Sequence, residues 1–391
     1  MKKKIAIIGA GISGLTFASF LKKNSKYDFI IYEKKSSLDL SDGYGVQLSA
    51  NSISILNKIG FKDLEVDNKF NPKKVDFYSL KNNNKICDLD ITQFNSKDVS
   101  YTTLKRSLLI GFLKEKLFTN SIQFNKKIEK INYFNSKIEI TFEDNAIDIF
   151  DYLIIADGVF SLTKSILLGN NIKPKYSGSL AVRTLMEKKD IKFLDENNIS
   201  LLLGSKIHLV AYAINTKGEF NLVAIVRKNL NKKDLNDDNF FNDKDNIRKL
   251  IKDSSIQKND ELKNLFDNVK EIKCFPAFIS DKIRQSNQKN TFFLGDALYA
   301  SLPTFAQGAS QSIESAYELL NTLHEDNFDK YFTSRVERIK MINNRSKLNY
   351  YIFHLSNPIF ILIRNIVLKF VVKNKSSLNK YLGQIYNYKN L

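Results

Sequence analysis

Gly9-Ala10-Gly11-Ile12-Ser13-Gly14 forms a GxGxxG turn. In this spacing the first glycine tightens the turn and the second lets backbone approach a pyrophosphate. The third brings a helix close to a strand. The N–H groups opening that helix then face phosphate charge. The spacing alone is weak evidence, but its context is specific. It follows the apolar run Lys4–Ile8 and precedes a predicted helix over Ile12–Lys23. Glu33 ends the next apolar run, Asp28–Glu33, nineteen residues after Gly14. A carboxylate there can accept hydrogen bonds from ribose hydroxyls. The chain has fifteen glycines and no second such turn. It therefore holds one dinucleotide tightly, and any second nucleotide docks transiently. This turn alone does not choose between FAD and NAD.

Two later turns make that choice. Ile154-Ile155-Ala156-Asp157-Gly158-Val159-Phe160-Ser161 ends a buried run in an acidic turn. Phe293-Leu294-Gly295-Asp296-Ala297 leads into Pro303 and Ala306-Gln307-Gly308-Ala309. Either Asp–Gly pair alone reads as an ordinary turn. In this order, after the glycine turn, the second delivers Asp296 into a loop whose backbone can approach a flavin ring, which favours FAD.

The elements that must position these residues are interleaved. Parallel-type apolar strands are predicted at Lys4–Ile8, Asp28–Glu33, Ile147–Ile155 and Thr291–Leu294. Alternating patterns at Val75–Leu80, Lys85–Ile91, Leu180–Leu185, Ser200–Leu203, Ile207–Ile214 and Asn221–Val226 predict a mostly antiparallel sheet. Helices are expected over Asn51–Gly60, Ser107–Leu117, much of Asp234–Asp267 and Ser310–Leu323, and over most of the remaining chain. The expected fold class is α/β with an α+β insert: a Rossmann-like βαβ lobe, an inserted antiparallel substrate sheet and C-terminal helices. The expected division is a discontinuous cofactor lobe (1–65, 100–170, 281–345), a substrate lobe (66–99, 171–280) and a helical segment (346–391).

Composition narrows the function classes. At 391 residues the chain can bury two lobes. Its two cysteines, Cys87 and Cys274, give no disulfide framework, and His208, His324 and His354 show no metal-ligand spacing. The first strand begins within four residues, leaving no signal peptide, and a cytoplasmic location is expected. The net charge of +18 invites a nucleic-acid reading. Against it, the lysines are scattered, only nine residues are arginine, and no aromatic–basic face appears. The charge reads as a solvated surface with a bias toward anionic ligands or membrane surfaces. Pro358–Val372, interrupted by Arg364, Asn365 and Lys369, reads as a packed helix rather than an anchor.

With these motifs in place, the sequence resembles the class A FAD-dependent monooxygenases, the para-hydroxybenzoate hydroxylase fold, and among them the salicylate hydroxylase-like branch. Further residues carry the resemblance: Gly43-Tyr44-Gly45-Val46-Gln47-Leu48-Ser49-Ala50-Asn51, Arg106 in Leu104–Leu109, Tyr176-Ser177-Gly178 with Arg183, and His208–Tyr212. Asn349, Phe353-His354-Leu355 and Arg364-Asn365 follow late in the chain. The resemblance implies that Gly9, Gly11, Ser13 and Gly14 lie at the FAD pyrophosphate, that Glu33 binds ribose, and that Arg106 contacts pyrophosphate. It ties Asp157 to both FAD and NAD(P)H, puts Gly295 and Asp296 at ribityl or pyrophosphate oxygens, and sets the Gly308 and Ala309 amides at the flavin N1–O2 edge. Lys34, Gln47 and Ile128 join the expected cofactor contacts. Two positions depart from the family pattern: Tyr299 replaces a histidine, putting loop packing in doubt, and Lys164 replaces an arginine, which could weaken nicotinamide docking.

The implied reaction hydroxylates a phenolic small molecule with O2 and NADH or NADPH, through a flavin C4a-hydroperoxide. A phenol reacts better as phenolate, so a base or relay beside its hydroxyl helps. His208 and Tyr212, four apart on a predicted strand and hence on one face, are candidates. They read equally as a structural histidine and a core tyrosine; Arg183 lies near the flavin or anchors a surface. A prenylated ring, as ubiquinone-pathway hydroxylases use, or epoxidation of a non-aromatic compound at a membrane surface, is the alternative. No nucleic-acid partner and no transmembrane segment are expected. Peripheral membrane contact and a monomer or homodimer are left open.

Overall fold

The structure, a computed structural model, describes all residues except 1, 25, 39, 41–43, 170–171, 255, 257–258, 270, 326–327 and 388–391, and the side chain of His324. Gly43 lies outside the described residues.

Lys3–Ile8 and Tyr27–Tyr32 pair in parallel, in register from Lys3 with Tyr27 to Ile8 with Tyr32. The helix joining them, Ile12–Leu21, is buried from Ser13 onward. That is why the segment is apolar all round rather than striped. Tyr152–Ile155 pairs on the other side of Lys3–Ile8, and Thr291–Phe293 pairs beyond it, both in parallel. Ile122–Gln123 completes the opposite edge. Strands drawn from distant parts of the chain thus end along one edge. The Gly9 turn, Glu33, the Asp157 turn and the Asp296 turn all sit just beyond strand ends, where open α/β sheets bind ligands.

One predicted strand divides. Ile147–Phe150 is antiparallel to Lys137–Phe142 in a separate three-stranded sheet, and only Tyr152–Ile155 joins the parallel sheet. The break falls at Asp151, whose carboxylate accepts from Lys4 N at 2.8 Å and from Lys137 Nζ at 2.7 Å. The chain changes sheets where these bonds satisfy it.

The second large sheet has seven strands, in the order Lys273–Ile279, Lys175–Glu187, Glu219–Arg227, Ile207–Ala213, Ile199–Leu203, Lys74–Ser79, Lys85–Asp90. All pairs are antiparallel except Ile199–Leu203 with Lys74–Ser79. Helices Lys244–Lys252 and Asp260–Asn268 cover one face with Ile247, Ile251, Leu262 and Phe266. The other face meets Phe305 and the C-terminal helices. Helix Phe328–Phe353 runs unbroken through position 345, where the expected lobe boundary fell. Pro358–Lys373 is helical as expected but packs on one side only: Arg364 is buried while Ile359, Ile363, Ile366 and Phe370 face outward. Among the described residues, no helix is long and apolar enough to cross a membrane.

Candidate active site

The glycine turn has the expected geometry. Gly9 has φ +102°, and a Cβ there would lie 2.6 Å from the Ala156 carbonyl oxygen. A Cβ on Gly14 would lie 2.1 Å from the Gly9 oxygen. A Cβ on Gly11 would meet nothing within 4 Å. Two glycines are therefore required by protein contacts, and the third leaves open space in front of the helix N-terminus, where a phosphate fits. Glu33 spans the turn from the neighbouring strand: one carboxylate oxygen accepts from Ala10 N at 2.9 Å and the other from Lys35 N at 3.0 Å. Lys34 is exposed beside it. The Ile128 side chain is buried in the same core cluster as Tyr32 and Phe142.

Ser13 packs against Gly295, where a Cβ would lie only 2.0 Å from the Ser13 Oγ. The first and third motifs thus touch. Asp157 accepts from Thr163 N at 3.1 Å through one oxygen. Its other oxygen is buried without a partner, and burial raises its pKa. Arg106 opens helix Arg106–Glu115, with its N–H donating to Tyr44 O at 2.8 Å. Its guanidinium makes no ion pair among the described residues. The open glycine and the unpartnered carboxylate oxygen lie just beyond ends of the parallel strands and fit a dinucleotide, while Arg106 follows strand Thr102–Lys105 of a separate three-stranded sheet.

A cavity of about 490 Å³ lies between the seven-stranded sheet and the loop Pro303–Ala309. The sheet contributes Arg183, His208 and Tyr212; the opposite wall contributes Gln47, Gly295, Asp296, Gly308 and Ala309. These eight sequence-predicted residues meet in one space. Gly9, Gly11, Ser13, Gly14, Glu33, Lys34, Arg106, Ile128 and Asp157 do not line it. A Cβ on Gly308 would meet nothing within 4 Å, so its backbone is open to a ligand. Asp296 is open to the cavity yet lies deep among protein atoms, and burial pushes its carboxyl up to about 6. The loop is held from behind. The Gln307 Nε2 donates to Ser49 Oγ at 2.9 Å, and Ser310 bonds to Ser49 and Ser52. Ala306 has φ +51°, a left-handed conformation that costs an alanine about 1 kcal/mol.

His208 is buried, and its Nδ1 lies 3.0 Å from the Nε2 of His354. The His354 Nδ1 lies 2.7 Å from the Tyr350 carbonyl oxygen. A carbonyl only accepts, so His354 carries its proton on Nδ1. Burial lowers both pKa values, and the His354 neighbour lowers that of His208 further. Both rings are neutral at pH 7. His354 Nε2 therefore accepts from His208 Nδ1–H, and the His208 Nε2 is left as an acceptor. Burial pushes the Tyr212 hydroxyl up to about 12, against the opposing pull of Arg183 and Gln47. Gln47 also accepts from Tyr101 OH at 2.8 Å.

Tyr101, Gln307 and the pairing of His354 with His208 were not singled out by spacing. Tyr101 and His354 lie 107 and 146 positions from His208, and only the fold joins them. The two departures acquire structural roles. The Lys164 ammonium is buried and donates to Ala297 O at 2.8 Å, tying the Asp157 turn to the Asp296 turn. Tyr299 is half-buried against the core behind the parallel sheet.

Residues 7–39 match the family model described as an NAD(P)-binding Rossmann-like domain. The chain is 24% identical over 357 residues to 6-hydroxynicotinate 3-monooxygenase of Pseudomonas fluorescens, covering 88% of this chain and 91% of the relative. Its fold matches a salicylate hydroxylase substrate complex with TM-score 0.81, 19% identity and coverage of 99% and 96%. It also matches Klebsiella pneumoniae HpxO complexed with FAD and uric acid, with TM-score 0.79, 18% identity and coverage of 94% and 92%.

Proposed function

We propose, for a chain that belongs by fold and by sequence similarity to the class A FAD-dependent monooxygenases, that this protein holds FAD and uses NAD(P)H and O2 to hydroxylate a small aromatic compound bearing a ring hydroxyl. The observation that carries the reading is the single cavity bordered by Asp296 and Gly308–Ala309 on one wall and by Arg183, His208 and Tyr212 on the other. When bound, FAD takes reducing equivalents from NAD(P)H and activates O2.

The chain's own residues supply position and charge. The open backbone at Gly11 and the start of helix Ile12–Leu21 bind pyrophosphate, with Arg106 beside it. Glu33 and Asp296 accept from sugar and ribityl hydroxyls, and the Gly308–Ala309 backbone donates to negative charge at the ring. The His208 Nε2 accepts the hydrogen of the substrate's ring hydroxyl. The Arg183 guanidinium favours its anion, raising electron density on the ring carbon that takes oxygen. Phe77, Leu89, Leu201 and Phe305 line the same cavity and exclude water. The antiparallel sheet is the substrate side of this arrangement and the parallel sheet the cofactor side. The two cysteines suit a cytoplasmic location.

The test is a screen of hydroxybenzoates, aminohydroxybenzoates and hydroxypyridines with FAD-loaded protein and each nicotinamide. The expected result is substrate-stimulated NAD(P)H oxidation with a product heavier by one oxygen atom. Oxidation without oxygen insertion for every compound overturns the reading.

A further inference from the structure

Helix Pro358–Lys373 is apolar on the side it turns outward as well as on the side that packs inward. Its inward side carries Arg364, which is buried and held by the Asn365 side chain at 2.9 Å and the Ile352 carbonyl at 3.4 Å. Its outward side carries Ile359, Phe360, Leu362, Ile363, Ile366, Val367 and Phe370; Ile359 is 67% exposed, Ile366 59% and Phe370 64%. Elsewhere the exposed large apolar side chains of the described chain occur in ones and twos. A contiguous apolar face of this kind marks an interaction site.

The surrounding charge says which kind. After Glu337 the sequence contains ten lysines and arginines and no aspartate or glutamate. Lys369 and Lys373 are exposed at the C-terminal end of the apolar face, and Lys375 follows. An apolar stripe flanked by lysines is the composition of a helix lying in the plane of an anionic lipid surface. A second copy fits poorly, because a twofold axis sets this face against itself. The lysines would then meet lysines with no acidic residue of the segment to pair them.

The same helix closes the cavity. Leu368, Val371 and Val372 line it from the helix's inner side, next to the edge strand Lys85–Asp90. We propose that Pro358–Lys373 docks this protein on an anionic membrane surface, its outward side chains among the lipid chains. The aromatic substrate accordingly carries an apolar tail and enters the cavity from the bilayer, a second statement that rests on the hydroxylase reading.

Sedimentation of the FAD-loaded full chain with vesicles tests the docking. The protein is expected to pellet with equimolar phosphatidylcholine–phosphatidylglycerol vesicles, and to bind phosphatidylcholine alone about tenfold or more weakly. The combined Ile359→Ser, Ile363→Ser, Ile366→Ser and Phe370→Ser variant should stay in the supernatant with unchanged flavin absorbance and melting temperature, since these side chains support nothing behind them. It should turn over water-soluble phenols at the wild-type rate and lose activity only on a tailed phenol presented in vesicles. No pelleting with anionic vesicles, or equal pelleting of the variant, overturns the docking. A wild-type dimer that becomes monomeric in the variant gives the face to a second copy instead. Sedimentation needs no turnover, so failure of docking leaves the hydroxylase reading standing, and failure of the substrate screen leaves docking standing.

Discussion

The paired imidazoles make a prediction that a lone histidine would not. His354 Nε2 accepts from His208 Nδ1 at 3.0 Å and so fixes the tautomer of the ring that faces the cavity. His208→Asn should lower kcat on a phenolic substrate by about 10²-fold or more, with the loss shrinking at high pH as the phenol ionises unaided. His354→Leu should lower kcat about 10- to 100-fold with flavin affinity unchanged, because His354 bonds to His208 and to the Tyr350 carbonyl and does not itself line the cavity. Stopped-flow measurement of the oxygenation step against pH checks both; a variant that alters KM alone would make the pair structural. Asp296 gives a second test at this scale. Its carboxyl, raised to about 6, gains hydrogen-bond donors when a ribityl chain arrives, which lowers its pKa in the complex. Binding of FAD therefore releases a proton, and affinity should fall as pH drops below about 6, by up to about tenfold per pH unit. Fluorescence titration of apoprotein between pH 5 and 7.5 measures this, and Asp296→Asn should flatten the curve.

At the scale of elements, the strand–turn–helix unit separates glycines the protein needs from the glycine the ligand needs. Gly14→Ala places a methyl 2.1 Å from the Gly9 oxygen, so helix Ile12–Leu21 must move off its strand, and the melting temperature should drop by several degrees. Gly11→Ala meets nothing in the protein, so it should leave melting of the apoprotein unchanged and weaken FAD binding about tenfold or more. Calorimetry and flavin titration on the two variants check this; equal effects on both quantities would remove the distinction. This unit was legible because strand, turn and helix are contiguous in sequence and Gly14 answers to Gly9, whereas the constraint on Gly9 comes from Ala156, which only the fold brings near. Ile147–Ile155 was misread for the complementary reason. Nothing in an apolar run marks a change of sheet, and Asp151 does so only through Lys4 and Lys137, which approach from other strands. Helix Pro358–Lys373 was placed correctly, but its outward side was not foreseen, since periodicity gives the direction of an apolar stripe and not what covers it.

On the scale of the whole molecule, the least legible feature is the one that joins the sheets to the C-terminal helices. Glu314, Arg335 and Arg338 stand in no motif that the sequence singles out, yet all three are buried. One Glu314 oxygen accepts from Arg335 and from Arg338, each at 2.7 Å, and the other accepts from Arg338 at 2.8 Å and from Asn51 at 2.7 Å. Arg338 continues to the carbonyls of Gln384 and Ile385, so helices Ala50–Asn57, Gly308–Glu325 and Phe328–Phe353 and the chain's last turns meet at one carboxylate. Helix Gly308–Glu325 begins at the glycine of the loop that walls the cavity, which makes this carboxylate an anchor for that wall. Glu314→Gln removes the carboxylate that both buried guanidiniums share, leaving Arg335 to Glu318 at 3.2 Å, and should cost about 3–5 kcal/mol of stability, read by urea unfolding with FAD absent. The pH dependence has a definite sign. Burial alone would raise the Glu314 pKa, but Arg335 and Arg338 outweigh it and hold the carboxyl below its ordinary value of 4.5. The unfolded chain therefore binds this proton more readily than the folded one. The ion pairs contribute fully above about 4.5, and their contribution is lost as pH falls through the lower, folded value. Urea midpoints should thus hold steady for this group from pH 7 to 5 and fall more steeply below pH 4.5 in the wild type than in Glu314→Gln. A variant that matches the wild-type acid slope would show that other carboxylates set it.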